Sequence, residues 1–176
     1  FGMVDLILVY LNGMVKKTHT TINNFLPKKE FIIIKNTIES ENFPWYYNHK
    51  ITDETDDVEQ GYFTHLFYDQ HVPSHYFKCL KPLVDKLKVK ALIRIKANLY
   101  HKTGKLIFHK PHFDYDFKHK GAILYLNTCN GYTVLDGGIK IKSVENTLLL
   151  FDSSKTHNST NCTDKKIRLN INVNYL

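Results

Sequence analysis

The chain has 176 residues, 43% of them hydrophobic and 23% charged, the size and balance of one globular domain. A chain of this length buries about 70% of its unfolded surface, which excludes wholesale disorder and any need of a disulfide or metal merely to fold. The net charge is +7, yet only Arg94 and Arg168 among the 24 basic residues are arginines, so the planar fork that reads base edges and phosphates is scarce and nucleic acid is not the favoured partner.

The longest clean apolar run, residues 6–11, is far too short to span a bilayer, and no membrane partner is expected. Three cysteines, Cys79, Cys129 and Cys162, form no CxxC pair. With no basic stretch before the first apolar run, they point to a reducing, cytoplasmic setting. Cys129 and Cys162 read as packing or surface residues.

Residues 1–20 read as an extension of unassigned role, with residues 4–11 either a strand or a buried stub. From residue 21 the chain reads as a single domain. A helix is predicted to start at Pro27, where a missing N–H has no partner to lose. Phe31, Ile34 and Ile38 then recur at helical spacing. The aromatic cluster Phe43-Pro44-Trp45-Tyr46-Tyr47 ends it. Residues 52–60 are acidic and apolar-poor, a surface loop that would suit a lid over a peptide. A second helix is predicted over about 73–87, kinked or broken by Pro82.

From residue 91 the period changes to two. Arg94, Lys96, Asn98 and Tyr100 alternate with Ile93, Ile95, Ala97 and Leu99. Strand-like runs follow at 106–108, 122–126, 132–135, 139–144, 148–151 and 167–175, separated by short turns, with 153–166 read as one connection. Helices at about 27–87 followed by a strand core at 91–176 predict a mainly β protein with N-terminal helices. On the last strand Arg168, Asn170, Asn172 and Asn174 form one polar row. Periodicity alone leaves it either a solvent face or the lining of a polar pocket.

His112 is the one histidine of ten with a carboxylate two residues on, Asp114. Residues i and i+2 of an extended segment point the same way, so the pair can grip one ion. His157 follows 45 residues later in a polar turn and could supply a third ligand. Two His and one carboxylate on one face of an ion is the set used by non-haem Fe(II) oxygenases, which leaves positions open for a 2-oxo acid and O₂. The plainer alternative is a hydrogen-bonded His–Asp pair and a surface His. Arg168, eleven residues beyond His157, could hold the far carboxylate of a 2-oxo diacid bidentately.

Several of these segments together resemble the prolyl-4-hydroxylase-like group of Fe(II)/2-oxoglutarate-dependent dioxygenases. Lys110-Pro111-His112-Phe113-Asp114-Tyr115 is similar to the group's iron motif. Tyr100-His101-Lys102-Thr103-Gly104-Lys105 is similar to its upstream Y-H-x-G-x-K segment, and Asn130-Gly131-Tyr132-Thr133 to its GGET-like turn. The whole chain also resembles small oxygenases of tailed bacteriophages of marine bacteria, which would place it in a host cytoplasm. The resemblance implies a double-stranded β-helix (jelly roll), with His112, Asp114 and His157 holding Fe(II). It implies Arg168 on the distal carboxylate of 2-oxoglutarate, with Tyr100, Tyr125 and Thr133 beside it. For these three, ordinary barrel interior is an equal alternative. The implied reaction consumes O₂, releases succinate and CO₂, allows ascorbate as an accessory reductant, and hydroxylates an unactivated C–H, most readily on a peptidyl prolyl or related protein side chain. Asp114 separates the chain from related halogenases, which lack that carboxylate. Collagen-type members carry a Tyr a few residues before the iron motif, where this chain has Ile107 and Phe108. Three rival readings remain open: a nucleic-acid dealkylase, a non-catalytic jelly-roll metal-binding module, and a zinc hydrolase.

Overall fold

A computed structural model describes residues 18–49 and 61–176. The predicted strand or stub at 4–11 and the acidic loop at 52–60 lie outside the described residues. Two antiparallel sheets form the body. The larger has the order β1 (His19–Ile22), β9 (Leu148–Asp152), β6 (Lys120–Tyr125), β11 (Ile167–Tyr175), β5 (Leu92–His101), β3 (Tyr62–Asp69), β2 (Tyr46–Asn48), with β4 (Val72–Pro73) paired to β3. The smaller has the order β10 (His157–Ser159), β7 (Tyr132–Leu135), β8 (Ile139–Lys142). The mainly β expectation holds.

Period-two alternation explains how the large sheet is buried on both faces. On β11 and its neighbours, Leu169, Ile171, Val173, Ile95, Ala97, Ala122 and Leu124 join one apolar core. Helix α1 (Lys28–Ile38) closes that core with Phe31, Ile34 and Ile38, its only buried residues. Helix α2 (Lys81–Leu87) adds Leu83, and the 3₁₀ turn before it, Phe77–Leu80, adds Leu80. The opposite face looks toward the small sheet. A second, smaller cluster of Ile123, Tyr125, Leu135, Leu149 and Phe151 joins the two sheets at one side. The rest of that interior is polar. Across β5 and β11 the register pairs Tyr100 with Arg168, Asn98 with Asn170, Lys96 with Asn172 and Arg94 with Asn174. These four steps share one face, and Arg168, Asn170, Asn172 and Asn174 are all buried. The polar row is therefore a pocket lining, not a solvent face.

Four expectations need correction. The second helix does not run from 73: Val72 and Pro73 pair with β3, and Pro82 sits in the first turn of α2, where its ring starts a helix instead of breaking one. Residues 106–108 are no strand; Phe108 makes an isolated bridge to Thr160 and, further on, His112 makes one to His157, with Pro111 between them lacking the N–H that a continuous ladder needs. The connection 153–166 contains β10. Finally, helices do not all precede strands. Strands β1 to β4 fall among them, and β3 joins the large sheet beside β5. Among the described residues no helix is long and apolar enough to cross a membrane.

Candidate metal and 2-oxo acid site

His112, Asp114 and His157 come together between the sheets. Each offers one ligand atom, and these atoms lie within 4.8 Å of one another. A two-way backbone bridge sets the pair of histidines: the His112 N–H donates to the His157 carbonyl at 2.9 Å and the reverse bond is 2.8 Å. The rings lie with centroids 4.8 Å apart, tilted by 50° to each other. Each Nδ1 has a backbone carbonyl as partner, Lys155 at 3.0 Å for His157 and Lys110 at 3.3 Å for His112. A carbonyl only accepts, so it holds the proton on Nδ1 and leaves Nε2 with its lone pair for a metal. The His157 Nε2 stands 3.8 Å from Asp114 Oδ2. Burial pushes the His112 imidazole below its ordinary range, and the neighbouring His157 adds to this. A neutral ring is the ligating form.

Asp114 is held from all sides. Arg94 Nη2 donates to Oδ1 at 2.8 Å. Ser153 Oγ donates to Oδ2 at 2.6 Å, Asn174 Nδ2 at 2.8 Å and Asn172 Nδ2 at 3.2 Å. Burial alone would raise this carboxyl. The Arg94 guanidinium, His157 and the Ser153 and Asn174 bonds outweigh it and keep the group well below the usual carboxylate range. Sequence alone did not reveal Arg94, Ser153 and the two asparagines as partners of Asp114. The available signal was parity, since 94 shares its strand face with 96, 98 and 100.

The three residues open onto a cavity of about 460 Å³, counting its mouth, lined also by Tyr62, Lys96, Asn98, Tyr100, Thr133 and Asn172. Arg168 stands one layer behind that wall. It has no exposed surface. Its Nη1 donates to the Thr160 carbonyl at 3.0 Å and its Nη2 to Thr133 Oγ1 at 3.1 Å, while Nε has no partner. Its guanidinium lies 5.4 Å from the Tyr100 ring centre and 5.8 Å from that of Tyr125. Gly131 permits this placement, because a Cβ there would come 2.5 Å from Arg168 Cδ. Among the described residues no carboxylate pairs with Arg168.

The hydroxyls around Arg168 form a donor set. Thr133 Oγ1 accepts from Arg168 and, at 2.9 Å, from the Tyr125 hydroxyl, so its own proton is left to give. Tyr100 Oη accepts from Ser159 Oγ at 3.2 Å, and its proton is likewise left to give. Burial keeps both phenols protonated, Tyr125 being pushed up to about 12. Tyr100 is stacked between Tyr62, at 5.4 Å, and His109, at 5.2 Å. Two O–H donors backed by a buried cation suit a carboxylate, and the His₂Asp set suits a divalent iron. The residues fit both groups. Tyr125, unlike Tyr100 and Thr133, acts behind the wall.

No protein-family model matches the chain, and none of the curated proteins does. Solved structures do. A prolyl hydroxylase from Trichoplax adhaerens, in complex with a hypoxia inducible factor oxygen degradation domain peptide fragment, aligns over 100% of this chain and 94% of its own, with TM-score 0.65 and 18% identity. A 2OG-Fe(II) oxygenase family oxidoreductase from Burkholderia pseudomallei aligns over 99% and 91%, with TM-score 0.67 and 13% identity. A prolyl-4-hydroxylase from Pseudomonas putida aligns over 97% and 98%, with TM-score 0.57 and 14% identity. At these identities the likeness is one of fold, a mainly β architecture consistent with a jelly roll.

Proposed function

We propose that the chain is an Fe(II)- and 2-oxoglutarate-dependent dioxygenase that hydroxylates an unactivated C–H of a peptidyl prolyl or related protein side chain. The observation that carries the reading is Arg168. A fully buried guanidinium without a carboxylate partner is costly, and it becomes sensible when a ligand brings the anion. The ligand must carry a carboxylate far enough from His112, Asp114 and His157 for its other end to reach a metal there. 2-Oxoglutarate has that form.

In this reading His112, His157 and Asp114 hold one face of the iron and leave the other face to the 2-oxo acid and O₂. Iron in this set supplies oxidative decarboxylation of 2-oxoglutarate to succinate and CO₂, coupled to oxygen insertion. The chain's own part is positional. Arg94 fixes one Asp114 oxygen while Ser153, Asn172 and Asn174 fix the other, so the carboxylate is held in a constant direction. Tyr100 and Thr133 donate to the distal carboxylate, and Arg168 supplies the charge behind them. The stacked Tyr62 and Tyr100 rings cover one side of the cavity and exclude water. A peptide substrate agrees with the fold neighbour bound to a peptide, and with Tyr46 and Tyr47, both exposed on the edge strand β2.

The test is anaerobic. Addition of Fe(II) and then 2-oxoglutarate to the metal-free protein is expected to produce a weak visible charge-transfer band of the chelate, absent in His157→Ala. Iron binding with no spectral response to 2-oxoglutarate would sink the proposal. Proline-containing peptides should then raise succinate formation and gain one oxygen atom. Methylated oligonucleotides that did so instead would overturn the substrate class.

A further inference from the structure

Cys129 and Cys162 take no part in the chemistry above, and both are buried. They belong to different loops, residues 126–131 after β6 and residues 160–166 before β11. The fold nevertheless brings their sulfurs to the Asp164 carboxylate, with the three ligand atoms within 4.8 Å of one another. We propose that Cys129, Cys162 and Asp164 form a second cation site, distinct from His112, Asp114 and His157, whose ligand is a soft divalent ion, Zn²⁺ first.

The donor set decides the ion. Two thiolates and one carboxylate favour zinc over calcium, magnesium or manganese, which prefer oxygen throughout. Zinc–sulfur bonds of about 2.3 Å and zinc–oxygen bonds of about 2.1 Å in a tetrahedron put donors roughly 3.4–3.8 Å apart. Donors already within 4.8 Å of each other reach that spacing by side-chain rotation. Asp164 is exposed while both sulfurs are buried, so the ion has a way in from solvent and a water can fill the fourth position. Three charged ligands around Zn²⁺ leave one net negative charge, and Lys165 and Lys166 on the same turn offset it.

The scaffold exists before any ion binds. The Asn130 N–H donates to Asp164 Oδ1 at 2.9 Å, which orients the carboxylate. The Asn130 side chain clamps Thr163, giving a bond to its hydroxyl at 2.7 Å and taking one from its N–H at 2.9 Å. The two loops are thus locked in register without help from the cysteines. They also carry the supports of Arg168, namely the Thr160 carbonyl and the close approach of Gly131. A cation bridging Cys129 to Cys162 would staple the cradle of that guanidinium. The site stands whether or not the oxygenase reading does.

Cobalt(II) is the probe, because thiolate-to-cobalt charge transfer gives an intense near-ultraviolet band that the sulfur-free His112, Asp114 and His157 set cannot. The reduced, metal-free protein is titrated anaerobically with Co(II), then with Zn²⁺ as competitor. The band is expected in the wild-type chain and in His112→Ala/His157→Ala. It is expected to bleach as Zn²⁺ displaces the cobalt and to be absent in Cys129→Ser. Because Cys129 is buried and its variant could misfold, Asp164→Asn on the exposed ligand is the second arm, with zinc competition weakened at least about tenfold. Absence of the band in the wild-type protein, unchanged zinc competition in Asp164→Asn, or a Cys129–Cys162 disulfide that persists in reductant would each overturn the proposal.

Discussion

Asp114 accepts from four side chains, and the one that carries charge is Arg94. If Arg94 fixes the carboxylate for the metal, Arg94→Gln should weaken Mn(II) binding by about 10- to 100-fold, with Arg94→Lys recovering part of it. Equal metal affinity in all three proteins would assign Arg94 to fold alone. Two buried histidines outside the triad set a pH dependence. His109 is pushed down to about 3, mainly by burial, and His65 is lowered for the same reason, though its bond to the Pro44 carbonyl opposes the shift. A histidine whose folded value is depressed stays neutral in the fold while the unfolded chain takes up a proton. Its stabilising contribution is complete above the unfolded value near 6.5 and is lost as pH falls below that. His109 alone should remove about 1.4 kcal/mol per pH unit once the unfolded chain is fully protonated. Urea unfolding at pH 7 and pH 5 should show a smaller loss in His109→Gln than in the wild-type chain; an equal loss would contradict it. The pair His112-Phe113-Asp114 is legible in sequence because its spacing is the chemistry. Arg94 is not, because its partner is fixed only when β5 lies under the loop that carries Asp114.

Elements were legible where one period ran without a fault. β11 alternates over its whole length, and β6, β7, β8 and β9 fall within two residues of their expected bounds. β3 escaped because its register with β5 shifts between Leu66 and Tyr68, and that irregularity erases the alternation. β10 escaped because three residues, His157–Ser159, are too few to show a period. Helix α1 was legible from Phe31, Ile34 and Ile38, and it follows that it depends on them. Ile34 has no exposed surface, so Ile34→Ala should cost about 2–5 kcal/mol, read as a lower urea midpoint at unchanged slope. Ile33, 60% exposed on the same helix, should tolerate Ala within about 0.5 kcal/mol. Similar losses at both positions would mean α1 does not pack as described. The turn before β7 is more demanding. Gly131→Ala puts a methyl against Arg168 Cδ and should raise the 2-oxoglutarate concentration needed for the charge-transfer band, with metal affinity unchanged.

At the scale of the whole molecule, the large sheet separates two interiors, an apolar one under the helices and a polar one that faces the small sheet. No single strand reveals this. An apolar row opposite a polar row reads alike whether the polar side meets water or another sheet, and only the second sheet decides. The polar interior has a thermodynamic signature. Arg168 is buried without an anion among the described residues, so the ligand-free fold carries a desolvation cost that a bound dicarboxylate would relieve. Even a paired buried charge is often replaced by packed apolar residues of similar volume at no cost or with a gain of about 1–4 kcal/mol, and an unpaired one has no Coulombic partner to lose. Arg168→Met should therefore melt no lower than the wild-type chain when both are free of metal and ligand. The order should reverse when Mn(II) and 2-oxoglutarate are added. A ligand at 100 times its dissociation constant stabilises by about 2.7 kcal/mol. The wild-type chain should gain one such increment from the metal and a second from 2-oxoglutarate. Arg168→Met should keep the first and lose the second, and His112→Ala should lose both. A full 2-oxoglutarate increment in Arg168→Met would mean that the buried guanidinium answers some other anion, and the dicarboxylate reading of the cavity would fall with it.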